Sequence, residues 1–134
     1  MFEQKESNMK KIAFVLPLLF VILSACSQQA PITKDVSPKE FKELITKPES
    51  VIIDVRTPEE VSQGKIPSSM NINYFGNFKT EVEKLDKTKP VYVYCASGGR
   101  SSKAMIDLNK MGFKEVYNLV GGFGAWHTAG FSVE

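Results

Sequence analysis

Nine consecutive residues bring a thiol, small side chains and a cation together: Tyr94-Cys95-Ala96-Ser97-Gly98-Gly99-Arg100-Ser101-Ser102. The run Val91-Tyr92-Val93-Tyr94 before them is β-branched and aromatic, as in a buried strand. From Ser101 to Met111, the residues Ala104, Met105, Leu108 and Met111 recur at helical spacing. Cys95 therefore ends a strand, a glycine-bearing loop follows, and a helix opens at once. Such a loop can point several backbone N–H groups at one spot, and the helix N-terminus adds partial positive charge. Arg100 adds a full charge. Thiolate is favoured there, so the Cys95 pKa is expected below the free value of about 8.5, as a nucleophile requires. The bland alternative is a small apolar cysteine closing a core strand.

The elements that must hold this loop follow from the rest of the pattern. Ser37-Pro38-Lys39-Glu40 and Thr57-Pro58-Glu59-Glu60 are capping patterns with proline at the first helical position. Phe41, Leu44 and Ile45 give the first helix an apolar face, and Pro48 limits it. Val51-Ile52-Ile53-Asp54-Val55 is apolar almost throughout, as in a strand covered on both faces. Met70 to Asn73 is a short strand, and Phe75 to Leu85 a helix with Phe78, Val82 and Leu85 on one side. After the helix 101–111, Gly112 is the expected cap, and Glu115 to Leu119 a last strand. Gly121-Gly122 leads into a turn or helix carrying Trp126. Alternating strands and helices indicate an α/β domain with a mainly parallel central sheet flanked by helices. Ligands of such sheets sit beyond the carboxyl ends of the strands, which is where Cys95 lies.

Several ordered motifs resemble the rhodanese family of sulfurtransferases. They are Cys95-x-x-Gly98-x-Arg100-Ser101, Asp54-Val55-Arg56-Thr57-Pro58-Glu59-Glu60, Gly64-Lys65-Ile66-Pro67 and Asn71-Ile72. Gly112-Phe113, Val116-Tyr117, Leu119, Gly121-Gly122 and Ala125-Trp126 resemble the family's last quarter. The departures are Lys65, where the family often has His, and Ser68-Ser69, where Gly-Ala is common. The resemblance covers residues 37–134 and implies a single rhodanese-like domain. It implies a persulfide mechanism at Cys95, with the backbone of Ala96, Ser97, Gly98, Gly99 and Arg100 binding the transferred sulfur. The donor would be thiosulfate or a persulfide. The acceptor would be a thiol, cyanide or a protein cysteine. No metal or organic cofactor is implied.

Asp54 and Arg56, at the end of a long strand, are read first as a structural pair and second as a charged wall of the pocket. His127, the only histidine, is read as a surface or packing residue rather than a base for Cys95, and Trp126 as a core residue; one histidine and two cysteines with no paired spacing argue against zinc. A cysteine phosphatase or arsenate reductase is the rival chemistry. Phosphatases resemble His-Cys-x5-Arg, whereas here Tyr94 precedes the cysteine and four residues separate Cys95 from Arg100, a cradle better sized for one sulfur than for a phosphoryl group. A non-catalytic rhodanese-like binding module is the rival of another kind.

The chain has 134 residues, 24% of them charged, and a formal net charge of +2. With no basic block, nucleic acid is not an expected partner. Lys10-Lys11 precede Ile12 to Leu23, an apolar run of about 12 residues, too short for a span of ~20 but suited to a signal peptide. Leu23-Ser24-Ala25-Cys26 resembles the lipobox of bacterial lipoproteins. The expected organisation is therefore a signal peptide at 1–25 (translation starting at Met1 or Met9), lipidated Cys26 with a tether at 26–36, and a folded domain at 37–134. The expected location is the bacterial cell envelope, exported and lipid-anchored to a membrane on its periplasmic or cell-surface side.

Overall fold

The computed structural model describes residues 28–134. The expected signal peptide and Cys26 lie outside the described residues. The elements run β1 (Ile32–Val36), α1 (Pro38–Leu44), β2 (Val51–Asp54), α2 (Pro58–Val61), β3 (Met70–Asn71), α3 (Phe78–Val82), β4 (Val91–Tyr94), α4 (Gly99–Lys110), β5 (Glu115–Leu119) and α5 (Gly122–Thr128). The strands form one sheet in the order β1-β5-β4-β2-β3, and every pair is parallel. This is the α/β architecture read from the sequence. Among the described residues, no helix is long and apolar enough to cross a membrane.

The alternation of side chains along β4 divides the core. Val91 and Val93 enter a cluster with Ile53, Val55, Val116 and the α4 residues Ala104 and Leu108. Cys95, two residues beyond Val93, keeps the same phase and joins that cluster, on the α4 side of the sheet. Tyr92 and Tyr94 face the other way and pack with Phe41, Leu119 and Trp126. The period of the strand thus decides that the thiol lies on the side of the sheet that carries the longest helix.

Both capping patterns form. Ser37 Oγ accepts from Glu40 N–H at 3.2 Å. At α2, Thr57 Oγ1 accepts from Glu60 N–H at 3.4 Å while Glu60 Oε2 accepts from Thr57 N–H at 2.9 Å. Three expectations change. The supposed tether 26–36 ends early, because Ile32–Val36 is an edge strand paired with β5 from Ile32↔Glu115 to Val36↔Leu119. Four of its five side chains are exposed, so backbone pairing rather than an apolar face holds it. The helix expected over 75–85 is only Phe78–Val82, since Tyr74 to Asn77 form a turn closed by Gly76 N–H on the Asn73 carbonyl at 3.0 Å. The helix after the cysteine starts earlier than expected, at Gly99. Because the strands are parallel, the chain comes into the sheet at the end opposite Cys95.

Candidate active site

The loop after β4 is shaped from both sides. Gly98 is the N-cap of α4 with φ +105°, a left-handed conformation that glycine adopts without steric cost. Behind the loop, α5 supplies two clamps: Phe123 N–H donates to the Cys95 carbonyl at 2.8 Å, and Gly124 N–H to the Ala96 carbonyl at 3.1 Å. A trans peptide holds its N–H opposite its carbonyl, so turning these carbonyls toward α5 turns the Ala96 and Ser97 N–H groups the other way. This contact needs glycine at 122, where a Cβ would stand 2.5 Å from the Cys95 carbonyl oxygen and 2.7 Å from the Ala96 carbonyl.

The sulfur sits inside this cradle. Cys95 is 1% exposed and free. Gly98 N–H donates to Sγ at 3.0 Å, and the Ser101 hydroxyl, 3.4 Å from Sγ and 3.2 Å from the Gly98 carbonyl, shares its proton between the two. Burial pushes the Cys95 pKa up, but hydrogen bonds from Ser101, Ser97 and Gly98 outweigh it, and the pKa lies below its ordinary value. The direction matches the sequence expectation. Its cause differs in part, because Ser101, read only as the start of a helix, is buried in the first turn and aimed at the sulfur. The clue was its position: a serine six residues after the cysteine falls on the first turn of α4, facing back toward the strand end.

Arg100 is the second departure. The sequence places its charge in the loop; its two terminal nitrogens both bind Glu60, Nη1 to Oε2 and Nη2 to Oε1, each at 2.7 Å. The fork geometry is the strong bidentate kind. Hydrogen bonding from Arg100 pulls the Glu60 carboxyl down to about 2. Glu60 also closes the α2 capping box, so one carboxylate ties the start of α2 to the start of α4. Arg100 keeps an electrostatic link to the sulfur: its pKa is raised first by Glu60 and further by the Cys95 charge.

Asp54 and Arg56 form a buried pair, with Arg56 Nη2 2.6 Å from Asp54 Oδ2 and Nε within 3.1 Å of both carboxylate oxygens. Arg56 also donates to the Gly64 carbonyl at 2.7 Å, and its guanidinium lies 4.3 Å from the Phe123 ring centroid. The pair locks the β2–α2 connection against α5, at one remove from the sulfur. His127 lies on the exposed side of α5, its ring 6.5 Å from that of Phe123. Trp126 is buried against Phe41. Lys65 binds Glu134 at 2.9 Å, and Lys103 is exposed on α4. Among the described residues, no group of three or more His, Cys, Asp or Glu side chains could hold a metal ion.

The Ser101 contact gives a direct test. Removing a hydroxyl that prefers the anion must raise a thiol pKa. Ser101→Ala should move the pH midpoint of Cys95 alkylation upward by roughly one unit, toward the free value of about 8.5. A rate profile measured from pH 5 to 10 reads it. An unmoved midpoint would mean that the amides alone hold the thiolate.

A parallel sheet with a free, buried thiol at the carboxyl end of its central strand, next to a loop amide and a helix N-terminus, defines an α/β domain with a cysteine at the ligand-binding end of its sheet. Residues 37–129 match the rhodanese-like domain, and the chain belongs to that family. It is 39% identical over 93 residues to the thiosulfate sulfurtransferase GlpE of Coxiella burnetii, covering 69% of this chain and 86% of that protein. It is 38% identical over 89 residues to the tRNA uridine(34) hydroxylase of Pelagibacter ubique, covering 65% of this chain but only 30% of that protein. Among solved structures, a rhodanese-related protein from Thermoplasma volcanium superposes with a TM-score of 0.68 at 29% identity, over 75% of this chain and 97% of that one. A rhodanese-like domain protein from Staphylococcus aureus gives 0.63 at 32% identity, over 69% and 90%. Likeness to a named thiosulfate sulfurtransferase over most of its length supports sulfurtransferase activity here.

Proposed function

We propose that this domain carries a sulfane sulfur on Cys95. The observation that carries the reading is the cradle itself: Gly98 N–H and the Ser101 hydroxyl aimed at a buried Sγ whose pKa is lowered. In the first half-reaction the Cys95 thiolate attacks the outer sulfur of a donor such as thiosulfate. A bond forms between Sγ and that sulfur, the donor's S–S bond breaks, and sulfite leaves with the electron pair. The anion on the outer sulfur is then held by amides of the loop, which cost no reorganisation because α5 already fixes the peptide planes. In the second half-reaction a nucleophilic acceptor takes the outer sulfur, and Cys95 departs as the thiolate that the site favours. Arg100 contributes field, with its hydrogen-bonding fork committed to Glu60. That commitment weighs against the phosphatase reading, in which an arginine must grip phosphoryl oxygens.

The test is intact mass. Protein incubated with thiosulfate and freed of donor should gain one sulfur atom, mapped to the peptide containing residue 95 rather than to Cys26. Cyanide or a reductant should remove it. An unmodified residue 95 after treatment with thiosulfate and with persulfide donors would sink the proposal, and hydrolysis of an aryl phosphate instead would favour the rival chemistry.

A further inference from the structure

Phe75 is the most exposed large apolar residue of the domain, at 71%. Isolated exposed apolar side chains are common and need no explanation. Phe75 differs in where it stands and how firmly it is held. It follows β3, so it projects from the same end of the sheet as the Cys95 loop. Its ring lies 5.8 Å from the guanidinium carbon of Arg100, which opens α4. The turn carrying it is bolted down on both flanks. Tyr74 N–H donates to the Val55 carbonyl at 3.0 Å, and the Tyr74 hydroxyl to Asp107 of α4 at 3.1 Å. Phe75 N–H itself donates to Asn73 Oδ1 at 3.1 Å. A fixed turn therefore displays an aromatic side chain beside the arginine of the loop, instead of letting it fold away into the core.

The charge around it points the same way. The hydrogen-bonding fork of the loop's one cation is occupied by Glu60, so this side of the site offers an anionic acceptor few free donors beyond the loop amides. The exposed loop residues Ser97 and Gly99 are small, leaving Phe75 as the dominant surface there. We propose that Phe75 is a specificity residue of the second half-reaction, selecting an acceptor thiol that bears an apolar group next to its sulfur. The inference rests on the sulfurtransferase reading above. In the step it serves, the acceptor thiolate attacks the outer sulfur of the Cys95 persulfide. A new S–S bond forms on the acceptor, the bond to Sγ breaks, and Cys95 keeps the electron pair as thiolate. The apolar group would rest on the Phe75 ring during attack. Such a group could belong to a small organic thiol or to a cysteine flanked by apolar residues in a protein.

The experiment uses protein loaded with sulfur from thiosulfate and then freed of donor. Discharge is followed by mass with four acceptors: benzyl thiol, a peptide with cysteine between two leucines, mercaptosuccinate and cyanide. Taking the ratio of wild type to variant for each acceptor cancels that acceptor's intrinsic reactivity. Phe75→Ala should slow discharge to benzyl thiol or to the leucine-flanked peptide about tenfold through a raised KM, as loss of one aromatic contact implies. Discharge to cyanide and mercaptosuccinate should stay within about twofold, and Phe75→Leu should recover most of the loss. A loss confined to the peptide supports a protein source, and one confined to benzyl thiol a small-molecule source. Equal ratios for all four acceptors overturn the assignment. Protein that never loads sulfur overturns the sulfurtransferase reading and this inference with it, and that result is visible before any acceptor is added.

Discussion

A Cys95→Ser chain treated with thiosulfate should carry no added sulfur on the peptide containing residue 95, while remaining folded. The loss is expected to be complete because the site stabilises an anion without providing a base. Amides and one hydroxyl hold the pKa of an already acidic thiol below its ordinary value, which favours the thiolate. A serine hydroxyl starts many pKa units higher, and contacts worth about 1.5–3 kcal/mol each leave it protonated. His127 lies on the exposed side of α5 and makes no hydrogen bond to Cys95. The fold should survive because the new Oγ finds the partners that Sγ now has, Gly98 N–H and Ser101. The smaller atom leaves a small void beside Val93 and Ala104, at a cost of about 1 kcal/mol. Peptide mapping and a urea titration read the two halves of this expectation. Sulfur on residue 95 of the serine chain would mean that uptake does not use the thiol.

Asp54→Ala should cost about 3–5 kcal/mol, the largest stability effect we expect from a single side chain, because it strands a buried guanidinium. Asp54 is 0% exposed and Arg56 4%. Arg56 loses the three hydrogen bonds its side chain gives to the carboxylate, and a fourth from its own backbone N–H at 3.0 Å. Its remaining contacts with the Gly64 and Glu60 carbonyls do not balance the charge. Asp54→Asn keeps the shape and one acceptor, and should fall between the two chains in urea midpoint. Sulfur loading per folded molecule should hold in both variants, since the pair touches the fold rather than the sulfur. A cost under about 1 kcal/mol would mean that water reaches the guanidinium after the change.

What could be read along the chain was what local pattern encodes. The thiol at a strand end, the glycine turn and the helix start form one continuous stretch, so their proximity needed no tertiary information. The caps at Ser37 and Thr57 were legible for the same reason. Contacts across distance were hidden. Glu60 and Arg100 are 40 residues apart, and nothing in either stretch announces that a capping-box glutamate also binds the loop arginine. Ile32–Val36 escaped because an edge strand with exposed side chains carries no apolar period, and its partner β5 lies 83 residues on. Phe75 looked like the start of a helix because its neighbours Phe78 and Val82 have helical spacing; the Asn73 turn, set by a side-chain acceptor, separates it from them.

That edge strand would also set how the domain is presented to an anchor on its N-terminal side, if lipid on Cys26 holds it as proposed from the sequence. Ile32 lies level with Glu115 at one end of the sheet, and Cys95 follows the last residue of β4 at the other. Five residues of parallel strand place about 16 Å between the two levels. An attachment upstream of Gln28, such as lipid on Cys26, would grip the molecule by its base and point the thiol outward. A link from such an attachment to Ile32 would have limited reach, at most ~3.6 Å for each residue. A domain standing on such a leash faces traffic in the surrounding fluid with its reactive end and offers the anchoring surface its inert one. Its encounters would then be with molecules arriving from solution rather than with those embedded beside it.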